Sequence, residues 1–392
     1  MRSFRLSKNA IEELMAKYPT PFLVASVDKV AENYKFFREH LPRVNVFYAM
    51  KANPTEQIIR TLADLGTSFD VASGGEMKQL ASMGIDGSRM IYANPVKTPA
   101  GLQTAKQCGV NRFTFDDASE IDKMAQAVPG GEVLVRIRVV NKKALVDLNA
   151  KFGCAPEEAL DLLKKAKEKG LTPAGIAFHV GSQSLGASGH EEALLICRRL
   201  FDEAEEMGMH LYMLDIGGGL PVPDANGLAI DVARMADQIN RQLDRLFPDT
   251  ELWAEPGRFM CGTAVNLVTS VIGTKERNGQ HWYVLDEGLY GSFSAHMYDH
   301  WHFAIHSYKK GERELCTLLG PSCDSIDFVA RDVMMPRLEI GDAVLVPDCG
   351  AYSVASATDF NGFDIAKTYI WEEEEASRSF DDEEVRLAVA NS

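Results

Sequence analysis

Nowhere does this sequence run apolar for the length that crosses a bilayer, and its opening stretch, MRSFRLSKNAIEELM, lacks the apolar core of a secretory signal. It has no Cys-x-x-Cys pair. Its seven cysteines (108, 154, 197, 261, 316, 323 and 349) are scattered and odd in number, which argues against a zinc knuckle or a disulfide framework. These absences predict a protein of the reducing cytoplasm. Basic residues are in deficit too: 41 Lys and Arg against 56 Asp and Glu leave a formal charge of −15. Neutralising phosphates needs a basic surface, so neither nucleic acid nor a membrane is an expected partner. A cationic small molecule is compatible with the charge. Part of the excess lies in Glu372 to Glu375 and in Asp381, Asp382, Glu383 and Glu384, a block that reads as a solvated, partly mobile end. There is no internal repeat, no low-complexity linker and no G-x-G-x-x-G after the first strand candidate, so a dinucleotide fingerprint is excluded.

What is present is a regular alternation. Strand candidates fall at 44–50, 68–73, 90–95, 112–117, 133–140, 175–182, 213–219 and 252–258. Between them lie stretches such as EQIIRTLADLG and PEEALDLLKKAKEKG, with helical apolar spacing and a closing glycine. Eight strands separated by helix-compatible segments predict an α/β fold with an eight-stranded barrel over 26–264. After that the grammar changes. NLVTSVIGTKE, HWYVLDEGLYGSF, LCTLLGPSCDS, AVLVPDCGAYSV and IAKTYIWEE are strand-like with few helical intervals, which predicts a mainly antiparallel sheet domain. At 392 residues two domains are the default, and the sheet domain is expected to use both chain ends, 1–25 and 265–392.

Barrels of this kind do their chemistry at the carboxyl ends of the strands. Those ends carry Lys51, Asp70, Asn94, Asp116, Asp117, Arg136, Arg138, His179, Ser182, Gly217 to Gly219, Glu255 and Arg258. Buried parallel strands are mainly apolar, so this many polar groups at one mouth indicate a site. DIGGGLP closes the seventh strand and EPGR the eighth, the usual place for a phosphate held by backbone N–H groups. A lone Gly-Gly-Gly could equally be a tight turn; the pair of motifs favours phosphate. Lys51 shares strand parity with Asn45, Phe47 and Ala49 and so should point into the mouth, where desolvation is expected to favour the neutral, nucleophilic amine. A lysine and a phosphate site in one mouth suggest pyridoxal phosphate.

The motifs PTPFLV, FYAMKANP, FDVASGGE, IYANPVK, FHVGSQ, DIGGGLP, EPGR, YDHW, GPSCDSID and GAYSVASATDFNGF occur in that order over roughly residues 18 to 370. Together they resemble the fold-type III, alanine-racemase-like pyridoxal-phosphate enzymes, and within them the ornithine and lysine/ornithine decarboxylases. The resemblance implies decarboxylation of L-ornithine and/or L-lysine through an external aldimine and a quinonoid, with reprotonation at the α-carbon. It implies that Lys51 carries the cofactor, Glu255 faces the pyridine nitrogen and His179 stacks on the ring. Gly217, Gly218, Gly219, Gly257, Arg258, Ser182 and Tyr352 would hold the phosphate, with Asp70 and Arg136 as supporting charges. Cys323 would protonate the α-carbon, while Tyr298, Asp299, Asp324 and Phe360 would bind substrate. Lys151 and Asp327 match a pair that bridges subunits, so a homodimer with shared sites is implied.

Other substrates of the same fold stay open: diaminopimelate, arginine or carboxynorspermidine. The diaminopimelate enzymes typically carry glutamate where this chain has Asp324. A non-catalytic, antizyme-inhibitor-like protein is the reading from another class, but Lys51, Asp70, Arg136, Glu255, Arg258, Asp299 and Cys323 are all kept. His296, His300, His302 and His306 invite a metal reading; no helix is expected there to align them, and no metal is expected. HEEAL at 190–194 lacks the second histidine of a metalloprotease motif.

Overall fold

The computed structural model describes residues 2–139, 141, 144–146, 150–223 and 230–375. Eight parallel strands close into a barrel in chain order: Val44–Ala49, Ser68–Val71, Met90–Tyr92, Arg112–Phe115, Glu132–Ile137, Thr172–Phe178, Met213–Asp215 and Glu251–Ala254. Each lies within or beside a segment named from the sequence, and the last pairs with the first, Trp253 opposite Asn45. Several strands stop short of the predicted ends because the chain turns there, and those turns carry the polar residues. Ser182 is one such case. It does not end the sixth strand but opens a separate short one, Ser182–Ser184, paired with Ala144–Val146.

Strand periodicity sorts the side chains into two layers. Phe47, Ile91, Ala93, Leu134, Ala174, Ala177, Met213 and Trp253 fill the barrel interior. Their neighbours Val46, Tyr48, Val133, Val135, Ile176, Leu214 and Leu252 face outward into the core shared with the helices. The helices start where hydroxyls accept free N–H groups: Ser26 from Lys29, Ser73 from Glu76 and Thr98 from Gly101.

The second sheet has seven strands and is mainly antiparallel. Phe22–Ala25 sits inside it, antiparallel to Val265–Arg277 and parallel to Lys367–Ile370, so both ends of the chain do meet there. A second parallel pair joins Gln280–Leu285 to Arg313–Leu319. The strand Phe328–Pro336 has no counterpart in the sequence reading: its charged centre, Arg331 and Asp332, breaks the alternation, and Asp332 adopts φ +54°. A one-turn helix, Ala295–Tyr298, forms where none was expected. It does not build a metal centre, since no cluster of three or more suitable ligands occurs among the described residues.

The acidic end also departs from expectation in its first half. Glu372 accepts hydrogen bonds from Ser26 Oγ and from the backbone N–H groups of Val27 and Asp28 (3.1 and 3.2 Å), at the positive end of the helix Val27–His40. Glu374 takes the Tyr18 hydroxyl at 2.8 Å and Lys17 at 3.3 Å. The remainder of the block, Asp381 to Glu384, lies outside the described residues. No helix among the described residues is long and apolar enough to cross a membrane.

Candidate active site

A cavity of about 440 Å³ opens at the carboxyl ends of the barrel strands. Lys51, Asp70, Arg136, His179, Ser182, Gly218, Gly219, Glu255, Gly257, Arg258, Tyr298, Asp299, Tyr352 and Lys151 all line it, drawn from positions up to 301 residues apart in sequence. Gly217 lies just behind this wall. Cys323, Asp324, Asp327 and Phe360 do not line it.

Lys51 sits in the one-turn helix Met50–Ala52 that follows the first barrel strand. About half of its side chain (48%) is open, and Nζ lies 3.3 Å from Asp70 Oδ2, a carboxylate only 2% exposed. The expectation of a neutral amine is overturned: the Asp70 charge outweighs desolvation and raises the lysine above its ordinary value. The Asp70 carboxylate thus favours the ammonium form of Lys51 and holds its side chain in place.

The opposite tuning occurs at Glu255. Burial, with Asp215 and Asp70 nearby, pushes its carboxyl well up, so it holds a proton. Asp215 was not singled out in the sequence, although a carboxylate in the otherwise apolar MLDIGGG strand was the available signal. It is fully buried, and Oδ1 accepts the Gly217 N–H at 2.8 Å. Gly217 in turn gives its carbonyl to the Glu255 N–H at 2.8 Å. The phosphate loop and the acid are thereby one hydrogen-bonded unit. Burial pushes Asp215 up to about 6. A carboxyl raised above its unfolded value contributes stability that is fully present below about pH 4 and is lost as pH rises through about 6. Asp215→Asn keeps the acceptor and removes that loss. In cofactor-free protein its Tm relative to wild type is expected to climb by about 3 °C between about pH 5 and pH 8; a constant offset would count against the assignment.

His179 is neutral, its value lowered by burial first and then by Arg136. Its Nδ1 accepts the Gly181 N–H at 2.9 Å, which fixes the ring and leaves the proton on Nε2. An uncharged imidazole face suits stacking on an aromatic ring.

The glycines are required here by close approach. A Cβ on Gly218 would lie 3.0 Å from His179 Nε2 and 2.8 Å from the Glu255 carbonyl oxygen. Gly219, at φ +108°, would place one 2.5 Å from the Gly181 carbonyl oxygen. Arg136 Nε and Nη2 are buried without hydrogen-bond partners among the described residues. Arg258 is 5% exposed, packs over Trp301 and Tyr352, and meets the Asp299 carboxylate. Phe152, which lies 5.1 Å from the Arg136 guanidinium, lines the cavity and was passed over in the sequence, having no charge to mark it.

The donor set fits pyridoxal phosphate: a lysine amine, a protonated acid, a flat imidazole, side-chain-free backbone and unpaired guanidinium N–H groups surround one cavity.

Cys323, Asp324 and Phe360 form a separate patch. The thiol is exposed; its backbone N–H donates to Asn361 Oδ1 at 3.2 Å. The Tyr290 hydroxyl donates to Asp324, and the Tyr290 ring stacks on Phe360 with centroids 4.0 Å apart. Asp327 is 4% exposed and accepts from the Leu289 N–H at 2.8 Å and from Ser322, so it already has partners in its own chain. Lys151 lies over the Phe152 ring at 4.9 Å.

Comparison with known proteins agrees with this geometry. The pyridoxal-binding domain of the pyridoxal-dependent decarboxylases matches residues 27–262. A lysine/ornithine decarboxylase of Selenomonas ruminantium is 62% identical over 392 residues, all of both chains. A crystal structure of lysine decarboxylase from the same organism superposes with a TM-score of 0.93 at 64% identity, covering 96% of this chain and all of that one. The lysine/ornithine decarboxylase of Vibrio vulnificus, solved with cadaverine, gives 0.87 at 37% identity over 93% of this chain and 99% of that one. With its lysine, acid and glycine cradle in one barrel mouth, the chain belongs to the pyridoxal-dependent decarboxylases and is an enzyme that works with pyridoxal 5′-phosphate.

Proposed function

We propose that this enzyme decarboxylates L-lysine and L-ornithine, releasing carbon dioxide and leaving cadaverine or putrescine. The observation that carries the reading is the convergence of Lys51, the glycine cradle and the buried Glu255 on one cavity, with the Asp299 carboxylate at its wall. When bound, the cofactor supplies an aldehyde that an amine can capture and a ring that accepts the electron pair left by the departing carbon dioxide.

The chain's own residues do the rest. Lys51, held beside Asp70, supplies the amine that acts as the nucleophile once it has lost its proton. Glu255 presents its proton to the ring nitrogen, and Asp215 holds Glu255 in place. His179 packs on the ring face. Gly217 to Gly219 and Gly257 allow backbone approach to the phosphate, with Ser182, Arg258, Tyr352 and Arg136 supplying donors. Tyr298 and Asp299 meet the substrate, and a carboxylate beside a distal ammonium favours a basic side chain over a neutral one.

Cys323, Asp324 and Phe360 complete the site from the other subunit of a homodimer. The support is that they stand away from their own cavity, and that Ile326, Phe363 and Ile365 nearby are exposed apolar residues such as an interface covers. In that arrangement Cys323 Sγ delivers the proton to the α-carbon, Asp324 joins Asp299 at the ammonium, and Phe360 walls off the departing carboxylate. Lys151 and Asp327 approach across the boundary. We place the division between barrel and sheet at residues 25/26 and 264/265, and the enzyme in the cytoplasm, where its seven free thiols stay reduced.

The test is product analysis after incubation with lysine, ornithine, arginine and diaminopimelate. Lysine and ornithine are both expected to be consumed, since one methylene is worth only about 1–3 kcal/mol in a pocket. A kcat/KM ratio between them beyond about a thousandfold would sink the dual-substrate reading.

A further inference from the structure

Asn94 and Pro95 form part of the cavity wall, on the loop that leaves the third barrel strand, Met90–Tyr92. What holds that loop is Lys97, whose side chain is 1% exposed. Its Nζ donates to the carbonyl oxygens of Asn94 (2.7 Å), Pro95 (3.4 Å) and, across the gap to the next strand, Thr114. The ammonium also lies 5.1 Å from the Tyr92 ring centroid. The nearby Glu120 spends its carboxylate elsewhere: Oε2 takes the Lys97 backbone N–H at 3.0 Å, and Oε1 pairs with Lys123 at 2.5 Å. Lys123 donates to the Lys97 carbonyl at 3.0 Å.

A buried lysine is costly, and one that satisfies three carbonyl groups of a tight loop does the work that hydration does elsewhere. We propose that Lys97 is a positioning residue for the reaction: by gripping Asn94, Pro95 and Thr114 from behind, its ammonium sets where the Asn94–Pro95 wall stands against the bound amino acid. The inference rests on the reading of this cavity as the decarboxylation site.

The grip depends on charge. Three carbonyls need three N–H donors, which only the ammonium has; the neutral amine has two and turns a lone pair toward the third. Burial lowers Lys97 to about 7, against the upward pull of Glu120 and Asp116 and with a further downward push from Lys123. The wall is therefore held fully below that pH and loosened above it.

The experiment measures steady-state decarboxylation of lysine by the cofactor-loaded enzyme from about pH 6 to about pH 8.5, for wild type, Lys97→Met and Glu120→Gln. Taking each variant's KM relative to wild type cancels the ionisation of the substrate itself. Near pH 6 Lys97→Met is expected to raise KM about tenfold with kcat within about threefold, and the KM ratio is expected to shrink toward one above about pH 8. Glu120→Gln keeps the acceptor for the backbone N–H but removes the charge that supports the ammonium. Its own loss of affinity should begin at lower pH than that of wild type. A Lys97→Met enzyme whose KM ratio stays flat across the range overturns the proposal, whatever its Tm. If that variant does not fold, an unmoved Glu120→Gln profile overturns it instead. Wild-type enzyme that leaves lysine and ornithine untouched would instead refute the proposed function.

Discussion

Lys51→Ala is expected to abolish decarboxylation, with kcat lower by at least about 10⁴-fold because the amine nucleophile has no substitute in the right place. The geometry sharpens this. Nζ of Lys51 lies 3.3 Å from Asp70, a carboxylate more than nine-tenths withdrawn from solvent that fixes the amine at the cavity wall. Lys151 also lines the cavity, but its ammonium is placed over the Phe152 ring and pairs with no carboxylate among the described residues. Lys97 is closed off behind the wall. Borohydride treatment of wild type, followed by peptide mapping, should therefore fix the cofactor to Lys51 and to neither of the others. Carbon dioxide release by Lys51→Ala at more than a few per cent of the wild-type rate, or label on Lys151, would remove Lys51 from this role.

Subunit mixing should give the second large effect. If Cys323 serves the neighbouring subunit's cavity, Lys51→Ala and Cys323→Ala homodimers are each impaired at both sites. A heterodimer of the two joins both lesions in one site and leaves the other intact. With free exchange at equal amounts half of the dimers are mixed, so activity should recover to about a quarter of wild type. The measurement is turnover before and after mixing, with size-exclusion chromatography to follow exchange. Mixtures no more active than the average of the two parents would place Cys323 within its own site or outside the chemistry. The exposed thiol and the Tyr290–Asp324–Phe360 stack make the first outcome the expected one.

Most of the barrel was legible because its signals are local. A period of two along strands and helical spacing between them, punctuated by glycine, depend only on near neighbours in the chain. The strand Phe328–Pro336 escaped for the same reason: Arg331 and Asp332 interrupt the alternation, and only pairing with Arg313–Leu319 makes the segment a strand. Glu372 read as solvated charge because nothing in its surroundings in sequence announces Ser26 and the helix start, 344 to 346 residues away.

The sequence by itself determined the fold class, the lysine, the acid and the glycine cradle, since strand ends in a barrel converge whatever the details. Tertiary structure decided the protonation states. Lys51 reads as a neutral amine until Asp70 stands beside it; Glu255 is pushed up by its burial and by Asp215 buried with it; Lys97 is an ordinary loop lysine until three carbonyls close around it. The physical reason is that apolar periodicity is written residue by residue, whereas charge is set through space by groups that only folding brings within a few ångströms.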